Sequence, residues 1–294
     1  MTTAYVLSGG GSLGAVQVGM LQALSVRKMP PDLLVGTSAG ALNAAFLAGH
    51  GVDERALQAL AQSWMSVRRS TIFPIQPWRQ LRAVSGSAKS LCTNRGLSRL
   101  IESHLLFDRL ERARIPVHIV ATNLLSGEEE LLSHGDALSA VLASTAIPGV
   151  FTPVRRDGLI LVDGGLADNA AISQAIALGA DRVVVLPTGY ACALTEAPRR
   201  SIGIALQSLG LLIQQRLIRD VALYRDRAEI IVVPPLCPLQ VSPVDFGRAG
   251  ELIERARMDT AAWLERGNLS PVHPEQVLAL HDHTRRGAGP TRRV

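Results

Sequence analysis

Cysteine is scarce in this chain, with three in 294 residues, at Cys92, Cys192 and Cys237. They lie far apart and form no C-x-x-C pair, which argues against a disulfide framework and a cysteine-ligated zinc site. This scarcity predicts a reducing compartment, and with it a cytoplasmic location. No stretch approaches the roughly 18 uncharged, apolar residues that a spanning helix needs. The nearest is residues 202–213, apolar apart from Gln207 and Ser208 and two glycines; it reads as a buried or interfacial helix. Met1-Thr2-Thr3 leads straight into an apolar strand with no basic run, so no secretory leader is expected. Strong charge of one sign is missing as well. The net +5 is concentrated in Arg285, Arg286, Arg292 and Arg293 at the C-terminus. A basic tail of that kind is poor support for nucleic-acid binding, and none is expected.

What is present is apolar material for a core: 47% hydrophobic residues against 19% charged. This suits one domain over residues 1–269, followed by a basic tail at 270–294 that is expected to be disordered. Strand and helix patterns alternate. Strands are expected at residues 4–7, 32–35, 116–123, 129–132, 159–162, 182–186 and 230–233. Helices are expected at 15–24, 39–48, 54–67, 97–106, 136–144, 170–178, 201–226 and 247–264. Such alternation predicts an α/β fold, a mainly parallel central sheet with helices on both faces. Residues 68–95 show no period and read as a lid or binding loop.

Two glycine-rich corners carry the chemistry. The first, Gly9-Gly10-Gly11-Ser12-Leu13-Gly14, follows the first strand. Its G-x-G-x-x-G spacing matches the dinucleotide fingerprint, which also wants an acidic residue ending the second strand. Here that strand ends in Gly36-Thr37-Ser38, and Asp32 stands at its opposite end. A phosphate loop would need Lys and then Ser or Thr after Gly14, where the chain has Ala15-Val16. Two readings remain: a tight turn that lets helix pack on strand, or backbone N–H groups presented to an oxyanion.

The second corner, Gly36-Thr37-Ser38-Ala39-Gly40, has the G-x-S-x-G spacing of a nucleophile elbow. Small neighbours are needed there because the serine sits in a strained turn between strand and helix. Ser38 as a simple helix N-cap is the plainer alternative. A nucleophilic serine needs a proton acceptor. None of the seven histidines follows a strand in a suitable loop. Asp163, after an apolar strand and before Gly164-Gly165, is the better base, since apolar surroundings raise a carboxyl pKa. An aspartate capping a turn is the alternative at that position.

Four blocks now stand in order: Gly9-Gly10-Gly11-x-x-Gly14, Gly36-Thr37-Ser38-Ala39-Gly40, Ala143-Ser144-x-Ala146-x-Pro148-x-x-Phe151-x-Pro153, and Asp163-Gly164-Gly165 with Asn169 shortly after. In this the chain resembles the patatin-like phospholipases, serine acyl hydrolases with a Ser-Asp dyad. The resemblance spans about residues 4–266 and implies a three-layer architecture. It implies Ser38 as nucleophile, Asp163 as general base, and the backbone of Gly9, Gly10 and Gly11 as oxyanion hole. Gly14, Gly36, Gly40, Gly164 and Gly165 support those motifs. It implies lipid acyl esters as substrates and no metal or cofactor. Leu13 stands where many members carry Arg or Lys, so the cation that would strengthen the field near an oxyanion or phosphate is missing. Lipid substrates imply peripheral membrane contact, for which residues 68–89 (with Arg68, Arg69, Phe73, Trp78, Arg79, Arg82 and Lys89) and residues 202–213 offer suitable composition. An acyltransferase or thioesterase using the same acyl-enzyme, and a catalytically silent lipid-binding protein, are the alternatives.

Overall fold

The computed structural model describes residues 1–27, 29–74, 90–190, 192, 201–267, 269 and 273–279, apart from the side chains of 201–203, 205 and 206. The expectations for Trp78, Arg79, Arg82, Lys89 and most of the tail lie outside these residues.

Among the described residues, eight strands form one sheet: β1 Thr3–Leu7, β2 Leu33–Thr37, β3 Val117–Asn123, β4 Glu129–Leu132, β5 Val154–Arg156, β6 Leu159–Asp163, β7 Arg182–Leu186 and β8 Glu229–Val232. The order is β5-β6-β3-β2-β1-β7-β8, with β4 paired to β3 off this path. From β3 to β8 every pair is parallel, whereas β4, β6 and β5 join antiparallel. The helices are α1 Gly14–Leu24, α2 Ala39–His50, α3 Glu54–Ser66, α4 Arg69–Ile72, α5 Arg95–Glu102, α6 Ala137–Ser144, α7 Ile172–Ala177, α8 Ser201–Tyr224 and α9 Ala249–Glu265.

Strand alternation divides the core into two layers. In β1, Tyr5 and Leu7 face a large cluster built with α1, α2, α3, α5, α6 and α9. Ala4 and Val6 face a smaller cluster built with α7 and α8. Both faces of the parallel strands are therefore covered, which explains why β1, β2 and β7 read as nearly continuous apolar runs. Helix α1, apolar on almost every side, is buried along nearly its whole length and packs against α9. Every expected strand is present. The short strand β5 was not foreseen, because three residues containing Arg155 and Arg156 carry no alternating apolar signal.

Helix α8 was expected to be buried or interfacial in its first half. Its C-terminal half buries Gln214, Leu217 and Val221, while Ile204, Leu211 and Leu212 are open to solvent. No helix among the described residues is long and apolar enough to cross a membrane.

Candidate active site

Register alone brings the two key side chains to one level of the sheet. Thr37 pairs with Val120 across β2 and β3, so Ser38 is level with Ala121. Ala121 in turn pairs with Asp163 across β3 and β6. Ser38 and Asp163 thus flank the same residue of β3 from opposite sides. Their side chains meet above it: Ser38 Oγ donates to Asp163 Oδ2 at 2.7 Å.

Ser38 takes φ 53°, ψ −119°, a conformation that a non-glycine residue adopts only under constraint. The constraint is close packing at the strand-to-helix corner. A Cβ on Gly40 would lie 2.0 Å from the Leu7 carbonyl oxygen, so only glycine lets α2 begin against β1. The Ser38 hydroxyl makes no capping bond to α2, which removes the plain N-cap reading. The start of α2 brings the positive end of that helix to the serine.

Asp163 is nearly buried, and the desolvation pushes its carboxyl up to about 6, against the hydrogen bonds from Ser38 and the Gly165 N–H that pull it down. The Gly165 N–H donates to Oδ1 at 2.9 Å. The aspartate therefore caps the turn with one oxygen and holds Ser38 with the other. Thr122 Oγ1 donates to the Asp163 carbonyl at 2.8 Å and fixes the backbone.

The glycine corner divides its labour in a way that corrects the expectation for Gly9. The Gly9 N–H is already committed to Asn169, at 3.1 Å to Oδ1 and 3.4 Å to the carbonyl. Its carbonyl accepts from Thr188 Oγ1 at 2.7 Å. Gly9 is thus an anchor, closed as a donor by its own fold contacts. The N–H groups of Gly10 and Gly11 meet no acceptor among the described residues. Gly11, at φ 59°, needs a glycine's backbone freedom and lines the same pocket as Ser38. Leu13 is buried in the larger core cluster and points away from solvent.

That pocket is apolar and lies between α2, α3, α5 and α6, with Leu42, Phe46, Trp64, Ile101 and Phe151 among its walls. Trp64 is held by a buried chain of amides: its Nε1 donates to Asn43 Oδ1 at 2.7 Å, and Asn43 Nδ2 donates to Gln17 Oε1 at 2.8 Å. Gln17 Nε2 reaches the carbonyls of Ser8 and Leu186, tying β1 to β7 below the glycine corner. Gln17, Asn43, Trp64 and Thr188 escaped the sequence reading because each lies in an ordinary helical or loop context. No histidine among the described residues bonds to Ser38. His50 stacks on Phe46 at 3.9 Å, and His118 Nδ1 is 2.7 Å from Ser133 Oγ. His104 is half-buried and lines the pocket.

The sequence pattern of the family described as Patatin-like phospholipase matches residues 5–176. The chain belongs to that family. Among similar proteins, the Lysophospholipase NTE1 of Candida glabrata is 29% identical over 63% of this chain and 10% of its own length. The Patatin-like phospholipase domain-containing protein 6 of Mus musculus is 28% identical over 64% of this chain and 14% of its own. This patatin-like chain thus spans only a small fraction of the curated relatives it matches. Among solved structures, VipD from Legionella pneumophila is similar with TM-score 0.44 and 18% identity, over 90% of this chain and 67% of that one. The matched region of the patatin-like domain begins within β1, holds β2 to β6 and includes both residues of the Ser38–Asp163 pair.

Proposed function

We propose that this patatin-like domain is a lipid acyl hydrolase acting through a Ser38–Asp163 dyad. One observation carries the reading: a strained serine at a helix start shares a 2.7 Å hydrogen bond with a buried carboxylate, beside an apolar pocket. Ser38 Oγ attacks the ester carbonyl carbon and gives its proton to Asp163. The carbonyl oxygen becomes the oxyanion, and the N–H groups of Gly10 and Gly11 stabilise it, at about 3 kcal/mol per donor. The alcohol leaves with the proton from Asp163. Water then attacks the acyl-enzyme, losing its proton to Asp163, and Ser38 recovers that proton as the fatty acid departs.

Apolar walls suit a fatty-acyl chain, which makes acyl esters of lipids the substrate class. Contact with a lipid surface would deliver them, and exposed Leu124, Leu125, Leu166 and Leu212 are apolar groups suited to it. A pKa of about 6 keeps Asp163 mostly ionised at neutral pH, while leaving it basic enough to take the serine proton. The test is a panel of p-nitrophenyl esters, lysophospholipids and acylglycerols, with fluorophosphonate labelling in parallel. Hydrolysis and labelling should both vanish in Ser38→Ala. A Ser38→Ala protein with full esterase activity would overturn the reading. Acyl transfer to added alcohols in preference to water would reassign the domain as a transferase.

A further inference from the structure

The third sequence block, Ala143-Ser144-Thr145-Ala146-Ile147-Pro148, supplies neither nucleophile nor base nor oxyanion donor. Its place in the fold nevertheless puts it against both members of the dyad. Strands β2 and β6 are separated by β3, so their backbones stand about 9–10 Å apart. A bond of 2.7 Å between Ser38 Oγ and Asp163 Oδ2 requires that both side chains be directed over Ala121. The end of α6 lies over that spot: Ala143 packs with Ala121 and Leu161 in one small buried cluster.

From there the strap bonds to each backbone. The Ser38 N–H donates to Ser144 Oγ at 2.8 Å, and the Asp163 N–H donates to the Ala146 carbonyl at 3.0 Å. The strap itself is tightly held. Ala146 N–H bonds the Ala143 carbonyl at 3.2 Å, and Thr145 Oγ1 bonds the Val141 carbonyl at 2.8 Å. Ser144 has no exposed surface, so its hydroxyl is shut off from bulk water.

We propose that Ser144 is a positioning residue, which holds the strained Ser38 backbone in register with Asp163 through a strap whose other end, at Ala146, holds Asp163. Without the Ser144 acceptor, the Ser38 N–H is buried without a partner, and the positive φ of Ser38 loses the contact that opposes its relaxation. The pocket walls stay in place, so substrate binding is unaffected while alignment of the attack is lost. The inference rests on the Ser38–Asp163 reading.

The test compares Ser144→Ala with wild type by active-site titration with a fluorophosphonate, followed by steady-state kinetics on one p-nitrophenyl ester. The kcat per titrated site should fall about 10- to 100-fold, with KM within about twofold. A merely structural serine would lower the fraction of titratable protein and the Tm, and leave kcat per titrated site unchanged. That result would overturn the proposal. Should Ser144→Ala yield no folded protein, Ser144→Cys takes its place. Its thiol is nearly isosteric but a weak acceptor, and kcat per site should still fall about tenfold; parity with wild type overturns the inference. Ser38→Ala separates the two levels of argument. If it stays active, the dyad reading fails; if it is dead and Ser144→Ala matches wild type, only the role of Ser144 fails.

Discussion

The parallel and antiparallel halves of the sheet bring different things to the same point. The parallel half, β1 and β2, contributes backbone geometry: a glycine corner and a serine held at φ 53°. The antiparallel half, β3 with β6, contributes a charge, made basic by burial and placed by register. Local sterics govern the first, so its determinants are small residues within a few positions of one another. Long-range pairing and desolvation govern the second, so its determinants are spread from Ala121 to Asn169. A site assembled in this way should respond differently to damage in each half.

Removing the proposed nucleophile should be the largest blow, and it isolates the parallel half. Ser38→Ala should lower kcat by about 10⁴-fold or more while leaving the melting temperature near wild type, measured by esterase assay and thermal unfolding. Asp163→Asn probes the other half and should separate activity from stability. Loss of the proposed base should cost about 10³-fold in kcat. Its folded-state pKa, about 6, lies above the ordinary 3.8, so the ionised buried carboxylate destabilises the fold increasingly as pH rises from 4 to 6. The asparagine protein should therefore melt higher than wild type at pH 7, by about 2 °C or more, and show no such gain at pH 4. A lower melting temperature at pH 7 would show that the charge is better solvated than its burial indicates.

Asn169→Ala acts between the halves, because Asn169 follows β6 yet anchors Gly9 after β1. Freeing that corner should reduce kcat about 30-fold, with little change in KM for a short-chain ester. The smallest effect needs no substitution. As the proposed base, Asp163 must be ionised, so kcat/KM should fall about tenfold between pH 7 and pH 5, half-maximal near its pKa of about 6. A profile flat across that range would mean that Asp163 does not act as the base.

The two halves were also unequally legible. The apolar runs of β1, β2 and β7 marked themselves as doubly covered strands, and Gly36 to Gly40 matched an elbow whose two glycines each answer a local clash. Asp163 stands out in the sequence because it follows an apolar strand, which would raise its carboxyl pKa, and precedes two glycines. In the fold, β6 runs antiparallel to β3, and Asp163 is the strand's last residue, brought level with Ser38 by its pairing with Ala121. Its burial raises the carboxyl to about 6, as the apolar strand suggests, while its place beside Ser38 exists only in the strand pairing. Gly9 fared differently: three glycines in a row look alike as donors, and only the position of Asn169, far along the chain, closes the first of them.

Residue order alone dictated the alternating α/β pattern, the glycines that two corners require, and the motif set of the patatin-like family. These follow from short-range physics, where periodicity and backbone sterics act between near neighbours. Tertiary structure decided the direction of β6, the burial that raises Asp163, the commitment of the Gly9 N–H, and the pocket that α2, α3, α5 and α6 close together. Each depends on which distant segments pack against one another, and hydrogen-bond partners and desolvation exist only once that packing is made.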